Sequence, residues 1–166
     1  YPDERYLKMV MELKPEQATL VPDPPHVLTS NAGWDTQKHK GFLTDIIGQL
    51  KEAGVRTSIF AEPDEAIIEG AALVGTDRVE LYTEMYATGY LKDPQLAVSN
   101  YVRAANKAKE LGLGINAGHD LDLKNLKYLK EQIPNLDEVS IGHALFCDAL
   151  YLGLENTIQL YLRELQ

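Results

Sequence analysis

Short apolar runs rich in β-branched residues alternate with longer segments of helical period, and this alternation constrains the fold more than any other feature of the chain. The runs occupy residues 18–23, 56–62, 78–83, 113–119 and 138–143. In the segments between them, apolar residues recur every three or four positions and form one face of a helix. Because the runs are apolar throughout rather than alternately polar, they are typical of parallel strands covered by helices.

Start and stop signals support the predicted helices. Asp93 is a candidate N-cap residue that precedes a proline, and Gly112 ends the same segment. Gly54 and Gly75 follow two other helical segments and act as stop signals. The last segment, 148–166, is predicted to be amphipathic up to the end of the chain.

Two α/β architectures fit five strand–helix repeats: an open doubly wound sheet and part of a (β/α)₈ barrel. The glycine-rich turns GxGxxG and GxxxxGK[ST], which mark nucleotide-binding sheets, are absent. Five repeats in 166 residues would make more than half of a typical barrel of about 250 residues. The sequence therefore favours a truncated barrel, forming one domain or part of one.

Charge and cysteine content exclude several classes of function. The net charge is −9 and the pI is about 4.9, which argues against a nucleic-acid-binding surface or an anionic membrane surface. Small anionic ligands are still compatible, because backbone amides can bind them. Cys147 is the single cysteine, so an internal disulfide is excluded and a reducing cytosol fits best. No apolar run reaches the length of a membrane span, and the chain reads as one entered in its middle.

Two Gly-His steps at strand ends are the strongest local signals for chemistry. In parallel α/β proteins the ligand site lies at the carboxyl ends of the strands, where Gly118–His119 and Gly142–His143 are expected. Each glycine lets the backbone approach a ligand or turn sharply, and each histidine can exchange a proton near neutral pH. Gly142 also precedes a helix, which suits a phosphate at the helix N-terminus. A structural histidine and a simple turn remain the competing interpretations.

Glu80 lies inside a predicted strand, where it shares a face with Arg78 and Tyr82. An acid inside a barrel is costly unless it is paired or functional, so an ion pair with Arg78 and a catalytic role are both open. A metal site built from four groups, as in a metal-dependent TIM-barrel hydrolase, is a weaker alternative, because neither an HxH pair nor a bridging lysine on a strand is present. Its ligands would be His119, Asp120, Asp122 and His143.

Two further features are given structural roles. Cys147 follows His143 by one helical turn, and without a base beside it we expect core packing. Residues 20–35 form the one long loop, with Thr29, Ser30 and Asn31 as hydroxyl or amide donors. Trp34 in this loop is expected to pack against the following helix rather than to stack on a ligand.

Four strings together resemble one family. "LVPDPPHVLTSNAGWD", "VELYTEMYA", "GINAGHDL" and "SIGHALF" occur in the order and spacing of the pyridoxine 5′-phosphate synthases of vitamin B6 biosynthesis. The segment "FLTDIIGQLKEAGVRTSIFAEPD" between them is similar to the same family. The resemblance extends over essentially all 166 residues.

The resemblance implies a (β/α)₈ TIM barrel, of which residues 1–166 would form a single domain supplying strands 4–8 and their helices. It implies a cytoplasmic homo-octamer without a metal or organic cofactor. The family condenses 3-amino-2-oxopropyl phosphate with 1-deoxy-D-xylulose 5-phosphate to give pyridoxine 5′-phosphate, inorganic phosphate and water. The expected partners are thus phosphorylated small molecules and further copies of the chain, with neither nucleic acid nor membrane.

Residue by residue, the resemblance makes His119 the proton donor and Glu80 the acid that stabilises the transition state. Thr29, Asp120 and the pair Gly142–His143 would bind the substrates, the last pair through phosphate. If these residues bind phosphate without turnover, the chain would instead be a non-catalytic phospho-ligand-binding protein.

The chain departs from the family pattern in two respects. The position after His119 is often glycine in the family and is Asp120 here, which places a charge near an anionic substrate. The family's first strands find no counterpart, including the "NIDHIAT"-type motif, the histidine that acts as a base, a second catalytic glutamate and phosphate-binding arginines. A fragment of this kind is expected to be inactive alone.

Overall fold

The computed structural model describes residues 1–24, 27, 30 and 32–166. In this part of the chain, five parallel strands form one sheet in the order β1-β2-β3-β4-β5. The elements are α1 (Glu4–Leu13), β1 (Gln17–Leu20), α2 (Lys40–Glu52), β2 (Arg56–Ala61), α3 (Glu65–Val74), β3 (Arg78–Tyr82), α4 (Glu84–Tyr90), α5 (Pro94–Glu110), β4 (Gly114–Gly118), α6 (Leu126–Gln132), β5 (Leu136–Ser140), α7 (His143–Leu152) and α8 (Leu154–Glu164).

The strand order separates the two architectures that the sequence left open. A doubly wound sheet reverses its strand order at a switch point, whereas these strands follow one another in chain order. Right-handed crossovers without a reversal place every connecting helix on the same face of the sheet. The arrangement is therefore an α/β fold with one helix-covered face, as in part of a barrel.

The two faces of the sheet differ in chemistry as this arrangement requires. One face is apolar and joins the helices in a single hydrophobic core, with Leu20, Ile59, Leu81 and Ile115 fully buried. The opposite face is polar, and its side chains bond to one another. Arg78 donates from Nη1 to Oδ1 of Asn116 at 2.9 Å on this face.

Contacts between the first and last strands show that the sheet is strongly curled. In a flat sheet, four strand spacings would separate β1 from β5 by about 19 Å. Gln17 on β1 nevertheless donates from Nε2 to Oε2 of Glu138 on β5 at 3.3 Å. Arg56 on β2 reaches the other carboxylate oxygen of Glu138 at 2.7 Å. The polar face is accordingly the concave one.

Helix ends follow the predicted signals. Asp93 accepts a hydrogen bond from the amide of Leu96 at 2.9 Å and caps α5. Gly54, Gly75 and Gly112 all have positive φ, which ends the preceding helices in the left-handed conformation that glycine adopts at low cost. These three stop signals and the N-cap of α5 are confirmed.

Two features of the helices were not predicted. The amphipathic segment 148–166 is divided at Gly153, which has φ 80° and ψ 143° and separates α7 from α8. The short helix α4 was not predicted, since seven residues carry too little periodicity to reveal it. Among the described residues, no helix is long and apolar enough to cross a membrane.

Trp34 anchors the segment that leads into α2. Its ring is 3% exposed, packs near Phe42, and donates from Nε1 to the carbonyl of Leu20 at 2.9 Å. Its backbone amide donates to the carbonyl of Phe60 on β2 at 2.8 Å. The predicted packing role of Trp34 is therefore confirmed, and this segment is tied to two strands.

Candidate active site

A cavity of about 470 Å³ opens at the carboxyl ends of β3, β4 and β5. Five of the six site residues that the family resemblance implies line it. They come from β3, from the turn after β4 and from the start of α7, and a serine at the end of β5 joins them. The lining includes Glu80, His119, Asp120, Ser140, Gly142 and His143.

The sixth residue, Thr29, lies outside the described residues, so its placement is not assigned. The loop that contains it starts at the end of β1 and is tied down again at Gly33, whose amide donates to Oε1 of Glu62 at 3.2 Å. A Cβ at Gly33 would lie 2.5 Å from the amide nitrogen of Glu62. This end of the loop therefore runs directly over the carboxyl end of β2.

Glu80 is a buried acid on the concave face, and the residue is only 9% exposed. The Oγ1 hydroxyl of Thr19 on β1 donates to its Oε2 at 3.2 Å. Burial raises the pKa of Glu80, although the Thr19 hydrogen bond and the charge of His119 act in the opposite direction. Arg78, the ion-pair partner considered from the sequence, instead lies beside Asp137 and Glu138.

Gly118 makes room for the carboxyl group of Glu80. A Cβ at this position would lie 2.6 Å from Oε1 of Glu80 and 2.9 Å from the carbonyl oxygen of Ser140. The sequence predicted a close approach of ligand or a sharp turn at this glycine. The observed cause is a neighbouring side chain, so Gly118 belongs to the packing of the site.

His119 lies in a left-handed turn that is unusual for residues with a side chain. Its φ is 72°, and the φ of Asp120 is 44°. The buried hydroxyl of Thr83 lies 2.6 Å from the carbonyl oxygen of Gly118 and 2.5 Å from that of His119, and it donates its one proton within this pair. Thr83 at the end of β3 thus anchors the turn after β4.

The imidazole of His119 is held by neighbours on several sides. Its Nδ1 lies 2.8 Å from Oδ2 of Asp120. Tyr82 meets the ring edge-on with centroids 5.5 Å apart, and the ring of Phe60 lies 6.3 Å away. Aromatic contacts and a hydrogen bond together define the orientation of the ring.

The N-terminus of α7 forms the opposite wall of the cavity. Gly142 is its N-cap residue and supplies no side-chain cap, and His143 is the first residue of the helix and is exposed. The first amides of a helix lack intrahelical partners and attract anions. A Cβ on Gly142 would meet nothing within 4 Å, so the described packing does not require glycine here.

Sequence reasoning missed Ser140 and gave Thr83 no role. The last strand was predicted to run to residue 143 but ends at Ser140, so Ser140 was placed inside the strand. The hydrogen bonding of Thr83 to the turn after β4 depends on the tertiary fold, which the sequence pattern does not reveal. The expected core packing of Cys147 is wrong: the thiol is exposed, because α7 packs through other positions such as Leu145.

Metal-ligand geometry is not found in the part of the chain that the structure describes. No group of three or more His, Cys, Asp or Glu residues there is placed to hold a metal ion. The four residues of the metal alternative do line one cavity, yet Asp120 is paired with His119, and Asp122 accepts hydrogen bonds from the amides of Lys124 and Asn125.

The fold and the site define an α/β protein whose acidic, imidazole and helix N-terminal groups converge at the carboxyl edge of a curled parallel sheet. The chain belongs to the family described as Pyridoxal phosphate biosynthesis protein PdxJ, whose sequence profile matches residues 1–166.

Curated relatives agree with this assignment. The chain is 62% identical over 165 residues to a pyridoxine 5′-phosphate synthase of Cytophaga hutchinsonii, covering 99% of this chain and 69% of the relative. It is 58% identical over 161 residues to the protein of that name in Bacteroides fragilis, covering 97% and 68%. The Christiangramia forsetii protein of that name is 55% identical over 165 residues, covering 99% and 70%.

Solved structures at low sequence identity support the fold alone. A chain of the Amycolatopsis orientalis BexX/CysO complex has a TM-score of 0.59 at 13% identity, covering 95% of this chain and 59% of its own. The HMG-CoA lyase from Brucella melitensis has a TM-score of 0.50 at 16% identity, covering 74% of this chain and 47% of its own.

Proposed function

We propose that the chain forms the acid-catalysis and phosphate-binding side of a pyridoxine 5′-phosphate synthase. The observation that carries the proposal is that Glu80, His119 and the N-terminus of α7 line one cavity in a member of this family. The reaction joins 3-amino-2-oxopropyl phosphate to 1-deoxy-D-xylulose 5-phosphate. Its products are pyridoxine 5′-phosphate, inorganic phosphate and water.

The chemistry of ring closure calls for groups of these types. Imine formation, loss of water, loss of phosphate and carbon–carbon bond formation each move a proton, so positioned acids and bases are needed. His119 is assigned the role of proton donor. The carboxyl group of Glu80 lies in the same cavity, and in its ionised form it would stabilise a cationic imine electrostatically.

The substrate phosphates are assigned to the backbone. Gly142 and His143 offer amides at the start of α7, where a phosphate is favoured by unpaired N–H groups and by the helix dipole. Asp120 is assigned to substrate binding through its backbone amide, and Thr29 to a hydroxyl contact. Binding energy from phosphates remote from the reacting atoms can be used to orient those atoms.

The wider context of the site is proposed on the same basis. The five strands correspond to strands 4–8 of a (β/α)₈ barrel, and residues 1–166 form one domain together with the strands that complete it. The enzyme acts in the cytoplasm as a homo-octamer and uses no cofactor. The curl of the sheet and the polar side chains of its concave face support the barrel.

The proposal is tested with the complete gene product, because the relatives are longer than this chain. Incubation with both substrates should give pyridoxine 5′-phosphate, detected by mass spectrometry, with one inorganic phosphate released per product. Treatment with a chelator should leave the rate unchanged. Tight phosphate-ligand binding without product would instead indicate the non-catalytic alternative, and activity that depends on stoichiometric zinc would overturn the cofactor-free reaction.

A further inference from the structure

The contact between His119 and Asp120 joins two side chains that are adjacent in sequence. Successive side chains point to opposite faces of a strand and diverge by about 100° around a helix. Here the left-handed backbone at both residues brings the two side chains to the same side, with 2.8 Å between Nδ1 and Oδ2. The pairing is therefore a product of this turn.

The turn is costly for an aspartate. Positive φ is unfavourable for residues other than glycine and strains the backbone, although aspartate tolerates it better than most. Glycine at position 120 would remove the cost. The compensation that the structure offers is the hydrogen bond of the Asp120 carboxylate to His119.

The Asp120 carboxylate also determines which ring nitrogen of His119 can exchange a proton with the substrate. The two ring nitrogens have distinct roles, and a partner at one of them selects the tautomer and orients the ring. Asp120 occupies the Nδ1 side, while the rings of Tyr82 and Phe60 contact the imidazole from other directions. Proton transfer to the substrate is thereby assigned to Nε2 of the imidazolium form of His119, and donation leaves the neutral ring with its remaining proton on Nδ1, held by Asp120.

The same pairing offsets an electrostatic conflict when the imidazole of His119 is protonated. A carboxylate beside a binding site for two phosphorylated substrates would repel them if its charge were uncompensated. Both side chains are partly withdrawn from solvent, at 32% exposure for His119 and 41% for Asp120, and the carboxylate is directed at the imidazole. The backbone amide of Asp120 remains compatible with a role in substrate binding.

We propose that Asp120 is a positioning residue for the proton donor: its carboxylate holds His119 through Nδ1 and directs Nε2 into the cavity. The inference rests on the proposed function, in which His119 protonates the reacting substrate. It adds to that function a role for the Asp120 side chain that is separate from substrate binding.

The test compares Asp120→Gly and Asp120→Asn in the complete gene product. Glycine fits the backbone and deletes the partner, and kcat should fall about 10- to 100-fold, the scale of a misoriented catalytic group, while KM for both substrates changes less than about twofold. Asparagine keeps an oxygen that can accept from Nδ1–H, so its loss of kcat should be smaller. Asp45→Asn, which removes the same charge from the exposed surface of α2, is the matched control and should retain the wild-type kcat.

A spectroscopic measurement tests the pairing independently of turnover. In ¹⁵N-histidine NMR spectra, the neutral imidazole of His119 should carry its proton on Nδ1 in the wild type and in Asp120→Asn. In Asp120→Gly the Nε2–H tautomer should become populated. If Asp120 only stabilised the turn, Asp120→Gly would preserve the backbone and the tautomer of His119 would not change.

Three outcomes would overturn the inference. They are an unchanged kcat in Asp120→Gly, a rise in KM with kcat unchanged, and an unchanged tautomer. Failure of the proposed function is distinguishable from these, because it would appear as absence of product from the wild-type protein. The NMR comparison would still decide whether Asp120 positions the imidazole in that case.

Discussion

Glu80 is a buried acid, and burial disfavours the ionised form of its carboxyl group. Its pKa is raised by burial from an ordinary value of 4.5, so the folded state binds the proton more tightly than the unfolded state does. Stability from this group is fully present below the unfolded pKa and is lost as the pH rises through the folded pKa. An ionised Glu80 near neutral pH therefore lowers the free energy of unfolding, which is expected where function and not stability selects the residue.

Replacing Glu80 by glutamine should separate the cost of the Glu80 charge to stability from its contribution to catalysis. At pH 7.5, Glu80→Gln should raise the melting temperature, because a neutral amide is less costly to bury and can still accept from Thr19. The gain should shrink towards pH 4.5, where the carboxyl group of wild-type Glu80 becomes protonated and is then neutral like the amide. The rate of product formation should fall about 10²-fold with the loss of the negative charge.

The control for this substitution is Glu52→Gln at the exposed end of α2, which should change neither quantity. A stability gain of equal size at both pH values would show that the charge of Glu80 is not what destabilises the fold. Full activity of Glu80→Gln would remove the carboxylate from the proposed mechanism.

The two glycines of the Gly-His steps should respond differently to a methyl group. Gly118→Ala places Cβ against Glu80 and Ser140 and should destabilise the protein by about 1–3 kcal/mol. Among the described residues, Gly142→Ala meets no neighbour within 4 Å, so its effect on stability should stay within about 1 kcal/mol. If Gly142 admits a phosphate, KM for a substrate should rise in that variant.

Denaturant titration and steady-state kinetics on both alanine variants provide the check. Equal stability of Gly118→Ala and wild type would mean that Glu80 can move away from Gly118 at no cost. An unchanged KM in Gly142→Ala would mean that the start of α7 tolerates a side chain while substrate is bound.

The carboxylate of Asp77 joins the turn between α3 and β3 to the neighbouring elements β2 and α2. Asp77 accepts from the amide and the hydroxyl of Thr57 at 2.7 and 2.8 Å and pairs with Lys51 of α2 at 2.9 Å. Burial alone would raise the pKa of Asp77. The hydrogen bonds from Thr57 and the charge of Lys51 outweigh burial and hold the pKa below its ordinary value of 3.8.

Asp77→Ala should therefore lower the free energy of unfolding by about 1–2 kcal/mol at pH 7. Because the folded pKa is depressed, this contribution is present above the unfolded pKa and is lost as the pH falls through the folded pKa. Urea titrations at pH 7 and pH 3 should show a smaller difference at the lower pH. Asp45→Ala, at an exposed position of α2, is the control. A loss of stability in Asp77→Ala that does not depend on pH would contradict the electrostatic explanation.

The positions of helices and strands could be predicted from the sequence where neighbouring residues along the chain determine them. The five strands lie where β-branched runs occur, and the cap at Asp93 and the stops at Gly54, Gly75 and Gly112 depend on neighbours along the chain. The convergence of Glu80, His119 and Gly142 could also be anticipated. Parallel strands bring their carboxyl ends to one edge.

What sequence could not provide are features that depend on tertiary geometry. The bonds of Thr83 to the turn after β4 connect residues 35 and 36 positions apart. The pairing of His119 with Asp120 depends on two left-handed residues that no local pattern announces. The exposure of Cys147 follows from which side of α7 meets the core, and a short amphipathic pattern leaves that open.

At the scale of the whole molecule, the described sheet is curled but has two outer strands, β1 and β5. Large apolar side chains are exposed beside β5, with Phe146 68%, Leu150 85% and Tyr151 90% accessible on α7. Uncovered sheet edges and apolar surface promote association. Residues 1–166 expressed alone should therefore aggregate or oligomerise non-specifically.

Size-exclusion chromatography with light scattering tests this expectation against the complete gene product. The latter should elute as one defined oligomer, and eight copies are predicted. A monodisperse, monomeric species of residues 1–166 would show that the outer strands and α7 need no cover, which would contradict their proposed place inside a larger barrel.

In the proposed mechanism, His119 donates a proton in the cavity at the carboxyl ends of β3, β4 and β5. The most direct test is the turnover of His119→Asn in the complete gene product, assayed by pyridoxine 5′-phosphate formation. A fall in kcat of about 10²-fold or more is predicted, the scale of a lost general acid, with binding of both substrates retained. Near-normal product formation by this variant would contradict the assignment.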